Sequence, residues 1–190
     1  MRPGSKLNLL AWPILAMLLG MGTPRWVQTQ EVDPEEKEAY FRAVSEYFRT
    51  PLEEVTILSE WDLNPDEVPV VLFLAQQAGV SPDALIGLRR SGRGWQEVGR
   101  RFGVQTLAFH VPLPREADKG PLSSSYDAFE TRPSREWPEI PLADADIIAL
   151  VNLRVLSAQT KVPPIRVLQL FQETGSFVSC YPRLIPRSGS

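Results

Sequence analysis

The chain has 190 residues and a formal net charge of −3, with 43% apolar and 23% charged residues. This length suits one domain, and the apolar fraction is sufficient for a hydrophobic core. The proportion of apolar to charged residues excludes a globally disordered chain. The presence of only one cysteine, Cys180, and one histidine, His110, excludes an intrachain disulfide framework and a Cys/His zinc site, so we expect no metal or other cofactor.

Residues 1–22 contain the three parts of a secretion signal. Arg2 and Lys6 place positive charge at the N-terminus, residues 7–19 are mostly apolar, and small residues end the segment at Gly22. The apolar stretch is shorter than the ~20 residues that a membrane span requires. The segment predicts cleavage after Gly22 and a periplasmic or extracellular protein. An uncleaved signal, which would anchor the chain to a membrane, is the alternative.

The next part of the chain repeats one pattern of helix starts. A polar residue precedes a proline, and acidic residues follow, as in Asp33-Pro34-Glu35-Glu36. The polar side chain caps free N–H groups, proline lacks the N–H that would be left unpaired, and the acids complement the helix dipole. Residues 68–74 are almost entirely apolar, which predicts a central buried helix, with a strand as the alternative. The predicted helices span residues 34–48, 51–60, 65–78, 82–91 and 95–102.

Residues 111–141 differ in composition from the rest of the chain. They contain six prolines and a run of three serines, which predicts an extended connector. Three aromatic residues, Tyr126, Phe129 and Trp137, would fix this connector to the surface at intervals. The helical pattern then resumes, with one helix from Asp144 or Asp146 to about residue 159 and a second from residue 164 to 174. Residues 181–190 are predicted to be a flexible tail.

A repeated spacing links the segments before and after the connector. Apolar residues lie four and six positions after Pro82, at Ile86 and Leu88, and the same spacing follows Pro164. Each copy is preceded by an apolar helix and ends in a glycine followed by an aromatic residue. We therefore predict an all-α fold, a small helical bundle built from a duplicated helical hairpin, with halves at residues 31–110 and 142–180. Leu88 and Leu170 should occupy matching buried positions.

The most distinctive motif lies in residues 79–104. A Ser-Pro-x-x-Leu-x-x-Leu-Arg helix, Ser81 to Arg89, is followed by Gly-x-Gly-Trp and a short helix. The motif resembles that of a family of uncharacterised bacterial exported helical proteins, which implies a helical exported protein and transfers no catalytic residues. The segment also resembles a helix-turn-helix. Asp83 in the first turn of the second helix would repel phosphate, however, and a secreted protein does not meet DNA, so nucleic acid is not the expected partner.

Five arginines and one tryptophan within this motif form the predicted binding site. The arginines fall within thirteen residues, where Glu97 is the only acid. Such a cluster suits an anionic envelope component or a protein partner, and an exposed tryptophan can stack on a ligand. The alternatives are a solvated face, neutralised by the acidic residues 31–38, and a tryptophan that belongs to the core. The predicted site residues are Arg89, Arg90, Arg93, Trp95, Arg100 and Arg101.

These features favour a binding or structural module of the cell envelope. No catalytic residues are assigned, because no nucleophile or pair of carboxylates stands in a recognisable motif. The rival hypothesis is an envelope enzyme such as a wall-active hydrolase, in which Glu97 or His110 would be the first candidates for acid–base catalysis.

Overall fold

The computed structural model describes residues 33–185, so the predicted signal in residues 1–22 lies outside the described part. Residues 33–185 contain α-helices and 3-10 turns joined by short irregular segments, and no strand, which confirms the all-α small helical bundle. No helix in this range is both long and apolar enough to cross a membrane. The α-helices are α1 (Pro34–Phe48), α2 (Leu52–Ser59), α3 (Val68–Ala78), α4 (Pro82–Arg90), α5 (Trp95–Arg101), α6 (Ser123–Thr131), α7 (Asp144–Thr160), α8 (Pro164–Thr174) and α9 (Phe177–Leu184).

Local chemistry explains where several of these helices begin. Asp33 accepts a hydrogen bond from the Glu35 N–H at 2.8 Å, and Asn64 caps the 3-10 turn Pro65–Glu67 in a capping box with Glu67. Thr50 and Ser81 precede helices without such a side-chain bond. The proline itself is common to all four starts and is compatible with a first helical turn, since its nitrogen needs no acceptor.

The centre of the bundle is formed by α3 and α7. Every residue from Val68 to Leu74 is buried, and the segment is helical, so the alternative of a strand there is wrong. The longer helix α7 packs against α1, α3 and α8, and α1 packs against α9. One continuous core connects residues from α1 through α9. The segments before and after residues 111–141 therefore belong to the same folded unit.

Two segments differ from the prediction. The expected extended connector contains α6 and the 3-10 turns Gly120–Leu122 and Ser134–Glu139, so the prediction of an extended chain is wrong there. Pro121 and Pro133 lie at the starts of these 3-10 turns, whereas residues 110–119 contain no helix. The aromatic residues Tyr126 and Phe129 are buried, which supplies the packing that stabilises α6. The predicted tail at 181–190 is also wrong up to Leu184, because α9 continues to that residue and buries it.

Two groups of three helices, α3 to α5 and α7 to α9, resemble each other in the order and spacing of their helices. The second and third helices of the two groups begin 82 residues apart. The first helix of each group, α3 or α7, is followed by a residue with left-handed backbone, Gly79 (φ 67°) or Lys161 (φ 62°). The second helices begin at Pro82 and Pro164, and the third at Trp95 and Phe177, aromatic residues with no solvent exposure. The matching core pairs are Leu85 with Val167 and Ile86 with Leu168.

The prediction for Leu88 and Leu170 needs correction. Both are only partly buried and pack at the edge of the core, while Ile86 and Leu168, two positions earlier, are fully buried. Two residues along a helix correspond to a rotation of about 200°, so positions this far apart face different surroundings. The spacing identified corresponding positions but assigned the deepest burial to the wrong pair.

Candidate functional site

The predicted binding tryptophan is an internal residue. Trp95 has no exposed surface, and its indole Nε1–H donates a hydrogen bond of 2.8 Å to a carboxylate oxygen of Glu67. A ligand arriving from solvent cannot reach the ring. The binding role predicted for Trp95 is therefore wrong, and the alternative that places this residue in the core is correct.

Arg89 is part of the same internal arrangement. Its guanidinium donates to Glu67 at 2.7 Å and to Asp144, and it lies 4.9 Å from the centre of the Trp95 ring. Burial lowers the pKa of Arg89, but the hydrogen bonds to Glu67 and Asp144 outweigh it, so the pKa lies above its ordinary value. We call these four residues the Arg89 network. Because both carboxylates satisfy the guanidinium, its predicted role in external binding is not supported.

Gly92 and Gly94, the two glycines of the Gly-x-Gly-Trp motif, provide the backbone conformation and the space beside the Arg89 network. Asp144 accepts the backbone N–H of Trp95 at 2.7 Å, which caps the N-terminus of α5 from another helix. A Cβ atom added at Gly94 would lie 3.1 Å from that carboxylate oxygen, so any other residue there would force the carboxylate to shift by a few tenths of an ångström. Gly92 has a φ of +88°, which side chains rarely adopt. The Gly-x-Gly-Trp motif thus encodes the approach of α5 to α7.

The other arginines of the cluster have separate surroundings. Arg93 forms an ion pair with Glu97, and Arg100 donates to the Pro138 carbonyl at 3.2 Å. Arg90 and Arg101 are exposed. Within residues 33–185, no ion pair involves Arg90, Arg100 or Arg101, and none joins the acidic residues 33–38 to the cluster. Of the five arginines, Arg90, Arg100 and Arg101 are exposed and remain available for external binding.

A second buried network centres on Asp66, the residue next to Glu67 of the Arg89 network. Asp66 accepts the backbone N–H groups of Phe177 and Val178 at 3.1 and 3.2 Å, so it caps α9. Burial raises the pKa of Asp66, against the effect of these two bonds. The Asp66 carbonyl accepts from Asn152 at 2.8 Å, and Asn152 in turn accepts from the Tyr40 hydroxyl at 2.5 Å.

The two networks are reciprocal. Asp66, just before α3, caps α9 of the second group of helices, and Asp144, at the start of α7, caps α5 of the first. At the offset of 82 residues, Arg89 and Trp95 correspond to Phe171 and Phe177, whose rings stack 4.1 Å apart. The sequence predicts both acids only as helix-start residues. Their position at the starts of the two central helices, α3 and α7, was the available signal, but it does not indicate which helix they cap.

His110 and Glu97, the two candidates for acid–base catalysis, lie in separate surroundings. His110 is partly buried, with its ring 4.7 Å from Trp137 and 4.8 Å from Phe129, and burial, followed by the charge of Arg154, lowers its pKa. Glu97 is exposed and paired with Arg93. Neither residue lines either of the two cavities described below. In the described part of the chain, no three His, Cys, Asp or Glu side chains are grouped so that they could hold a metal ion.

The larger of the two cavities is an open groove of about 520 Å³ between α1 and α2. Ile57 lies in its wall with 49% of its surface exposed, near Phe41 and Leu52. The other cavity, of about 270 Å³, is lined by Gln77, Gly103, Val104, Gln105, Leu107 and Ala108. Sequence reasoning missed the groove. Its only signal was an apolar residue, Ile57, on the otherwise polar side of α2. The groove is lined by Pro34, Lys37, Glu38, Phe41, Leu52, Glu53, Thr56 and Ile57.

No protein family, no curated protein and no solved structure matches this chain. The resemblance of residues 79–104 to exported helical proteins therefore stays a prediction. The function has to be argued from the geometry of the groove, the two networks and the remaining exposed charges.

Proposed function

We propose that the protein is an exported binding module of the cell envelope that docks a segment of a protein partner in the groove between α1 and α2. The single observation that carries this proposal is the groove itself, with the exposed Ile57 in its wall. Its volume lies within the ~300–1,000 Å³ range of ligand-binding clefts. Export is supported by the composition of residues 1–22.

The orientation of α2 supports a binding role for the groove. Val55 and Leu58 are buried and attach α2 to the core, so the helix is held without Ile57. A single exposed apolar residue is ordinary on a protein surface. Here the exposed residue lines a cavity together with Leu52 and Phe41, and an apolar concavity of this kind is typical of interaction sites.

We also propose that the two groups of three helices arose by duplication and act as the rigid support of the α1–α2 element. The proposal is supported by the shared helix starts, the matching buried pairs and the reciprocal caps from Asp66 and Asp144. Each acid holds a helix of the opposite group, although the start of α9 also has a local cap, the Ser176 hydroxyl, which accepts the Val178 N–H at 3.2 Å. Such mutual dependence favours one cooperative unit.

Two measurements test the proposed function. Mass spectrometry of the protein recovered from an expressing bacterium should show a chain beginning at or near Thr23, and intact Met1 in a soluble cytosolic fraction would contradict export. A photoreactive amino acid placed at Ile57 should then cross-link to an envelope protein in living cells. The matched control is the same amino acid at Leu107, an equally exposed apolar position in the smaller cavity. Equal cross-linking at both positions would contradict a specific role for the groove.

A second candidate function rests on the exposed arginines. Arg90, Arg100 and Arg101 have no acidic partner within residues 33–185, which favours an anionic envelope component as a further ligand. The full chain should bind anionic vesicles with an affinity that falls as salt rises, since exposed charges are screened within about 8 Å at physiological ionic strength. The variant Arg90→Glu/Arg101→Glu should lose this binding and keep its melting temperature. Binding that does not depend on salt would contradict this candidate.

A further inference from the structure

The acidic charge of the described chain is concentrated beside the groove. Residues 33–60, which contain α1 and α2, hold eight acidic and three basic residues, a net charge of −5. The much longer segment 61–185 carries a net charge of only −1. A field of one sign around an apolar concavity attracts and orients partners of the opposite sign.

The charges lie at the edges of the groove and its floor is apolar. Glu38, in the second turn of α1, and Glu53, in the first turn of α2, line the groove. The first-turn acids Glu35, Glu36 and Glu54 lie close to them in the sequence. Glu38 is paired with Arg42 at 2.7 Å, whereas no ion pair within residues 33–185 involves Glu53. Lys37 is the one basic residue among those that line the groove, and its ammonium lies 5.3 Å from the centre of the Phe41 ring.

We infer that the occupant of the groove is a basic amphipathic helix of a protein partner, an inference that rests on the proposed function and names the partner's chemistry. Its apolar side chains would contact the exposed Ile57 and the partly buried Leu52, beneath which the buried Phe41 lies in the core. Its lysines or arginines would face the carboxylates at the edges, of which Glu53 is free to accept a new ion pair. The acidic edges disfavour an anionic membrane or an acidic peptide at this surface.

The walls of the groove favour a helix over an extended strand. Residues 33–185 contain no strand, so the described structure offers no sheet edge to which an extended peptide could add. A groove between two helices instead accepts the apolar face of a third helix, with anchors at positions i, i+3, i+4 and i+7. The basic residues of the partner then occupy the flanks of that apolar face.

The probe is a 14-residue peptide of leucine and lysine with its leucines at these helical positions, and the matched probe replaces every lysine with glutamate. Fluorescence anisotropy with the full chain should show binding of the lysine peptide at least about tenfold tighter than binding of the glutamate peptide. This preference should decline as the salt concentration rises, because the edge charges are screened.

Four variants separate the apolar and the charged contributions. Ile57→Ser should weaken the lysine peptide about tenfold, and Glu53→Lys should weaken it by a similar factor and reduce the salt dependence. Both positions are exposed, so the melting temperature should stay within about 2 °C of the wild type. Leu107→Ser and Glu116→Lys make the same chemical changes at exposed positions away from the groove and should leave binding unchanged.

The outcomes distinguish this inference from the proposed function. If the glutamate peptide binds as tightly as the lysine peptide and still depends on Ile57, the groove docks a partner but the inferred partner charge is wrong. If Ile57→Ser affects neither peptide, and the photoreactive amino acid at position 57 cross-links no more than the same amino acid at position 107, the groove is not a docking site and both proposals fail. Dimerisation of the chain that disappears in Ile57→Ser would assign the groove to a second copy and overturn the inference.

Discussion

Removal of the Asp144 carboxylate tests whether the Arg89 network holds α5 against α7. In Asp144→Ala, the backbone N–H of Trp95 loses its acceptor at 2.7 Å, and the guanidinium of Arg89 keeps only one of its two carboxylate partners. Both losses occur at the same helix start. We therefore expect a destabilised but folded chain in which α5 is the first element to detach.

The magnitude follows from the two contacts. Loss of a helix cap costs about 0.5–2 kcal/mol, and loss of a hydrogen bond to a charged group costs about 1.5–3 kcal/mol. The Asp144 side chain is 34% exposed, so water replaces part of what is lost and the lower ends apply. We expect the unfolding free energy to fall by about 2–3 kcal/mol, which for a domain of this size lowers the melting temperature by about 4–12 °C.

Urea denaturation followed by tryptophan fluorescence measures this change. Asp127→Ala is the matched control, because Asp127 is exposed on α6 and its carboxylate accepts no hydrogen bond within the described residues, so its change should stay within about 0.5 kcal/mol. An Asp144→Ala variant as stable as this control would refute the reasoning, since it would mean that α5 is held by apolar packing alone.

Gly94 provides an independent check on the same contact. In the wild type, Gly94→Ala places a Cβ atom 3.1 Å from the Asp144 carboxylate and should cost about 1 kcal/mol. In the Asp144→Ala background the obstacle is gone, and the backbone at position 94 has an ordinary φ of −70°, so the same substitution should be close to neutral. An equal cost in both backgrounds would show that the glycine serves another purpose.

Three further predictions concern the core and its titratable groups. Leu168→Ala removes a fully buried side chain and should cost about 2–5 kcal/mol by urea denaturation, whereas Leu170→Ala, at a partly buried position, should cost about half as much or less. Burial raises the pKa of Asp66, so the folded chain holds that proton more tightly than the unfolded chain. Relative to Asp66→Asn, the wild type should therefore lose stability in thermal melts as the pH rises above about 4. Burial lowers the pKa of His110, which reverses the sign: relative to His110→Gln, the wild type should lose stability as the pH falls below about 6.5.

The helix starts of this protein could be predicted closely from the sequence. The expected helix at residues 34–48 coincides with α1, and α4 begins at Pro82 as expected. The reason is that capping, proline and first-turn charges act within one turn of the chain. The same chemistry was overlooked within residues 111–141, where proline content alone suggested an extended chain. Pro121 and Pro133 in fact introduce helical turns, and burial of Phe129 stabilises α6.

The candidate site could not be predicted in the same way. The sequence identified a cluster of arginines and a tryptophan, but it could not indicate that Arg89 turns inward to Glu67 and Asp144, which lie 22 and 55 residues away along the chain. A guanidinium close to two carboxylates is drawn into a partly buried position in which its hydrogen bonds are already made. The same side chain without them would lie in solvent and be available to a ligand.

What the sequence by itself determined was the all-α class and the starts of α1, α4, α5, α7 and α8, because these depend on periodicity and on contacts within a few residues. Only the tertiary structure decided which of the corresponding positions are fully buried, which helix each acid caps and where an apolar surface stays open. These properties depend on how α3 and α7 pack together and on which face of α2 the core covers. Packing of that kind joins residues far apart in the chain, and no local pattern specifies it.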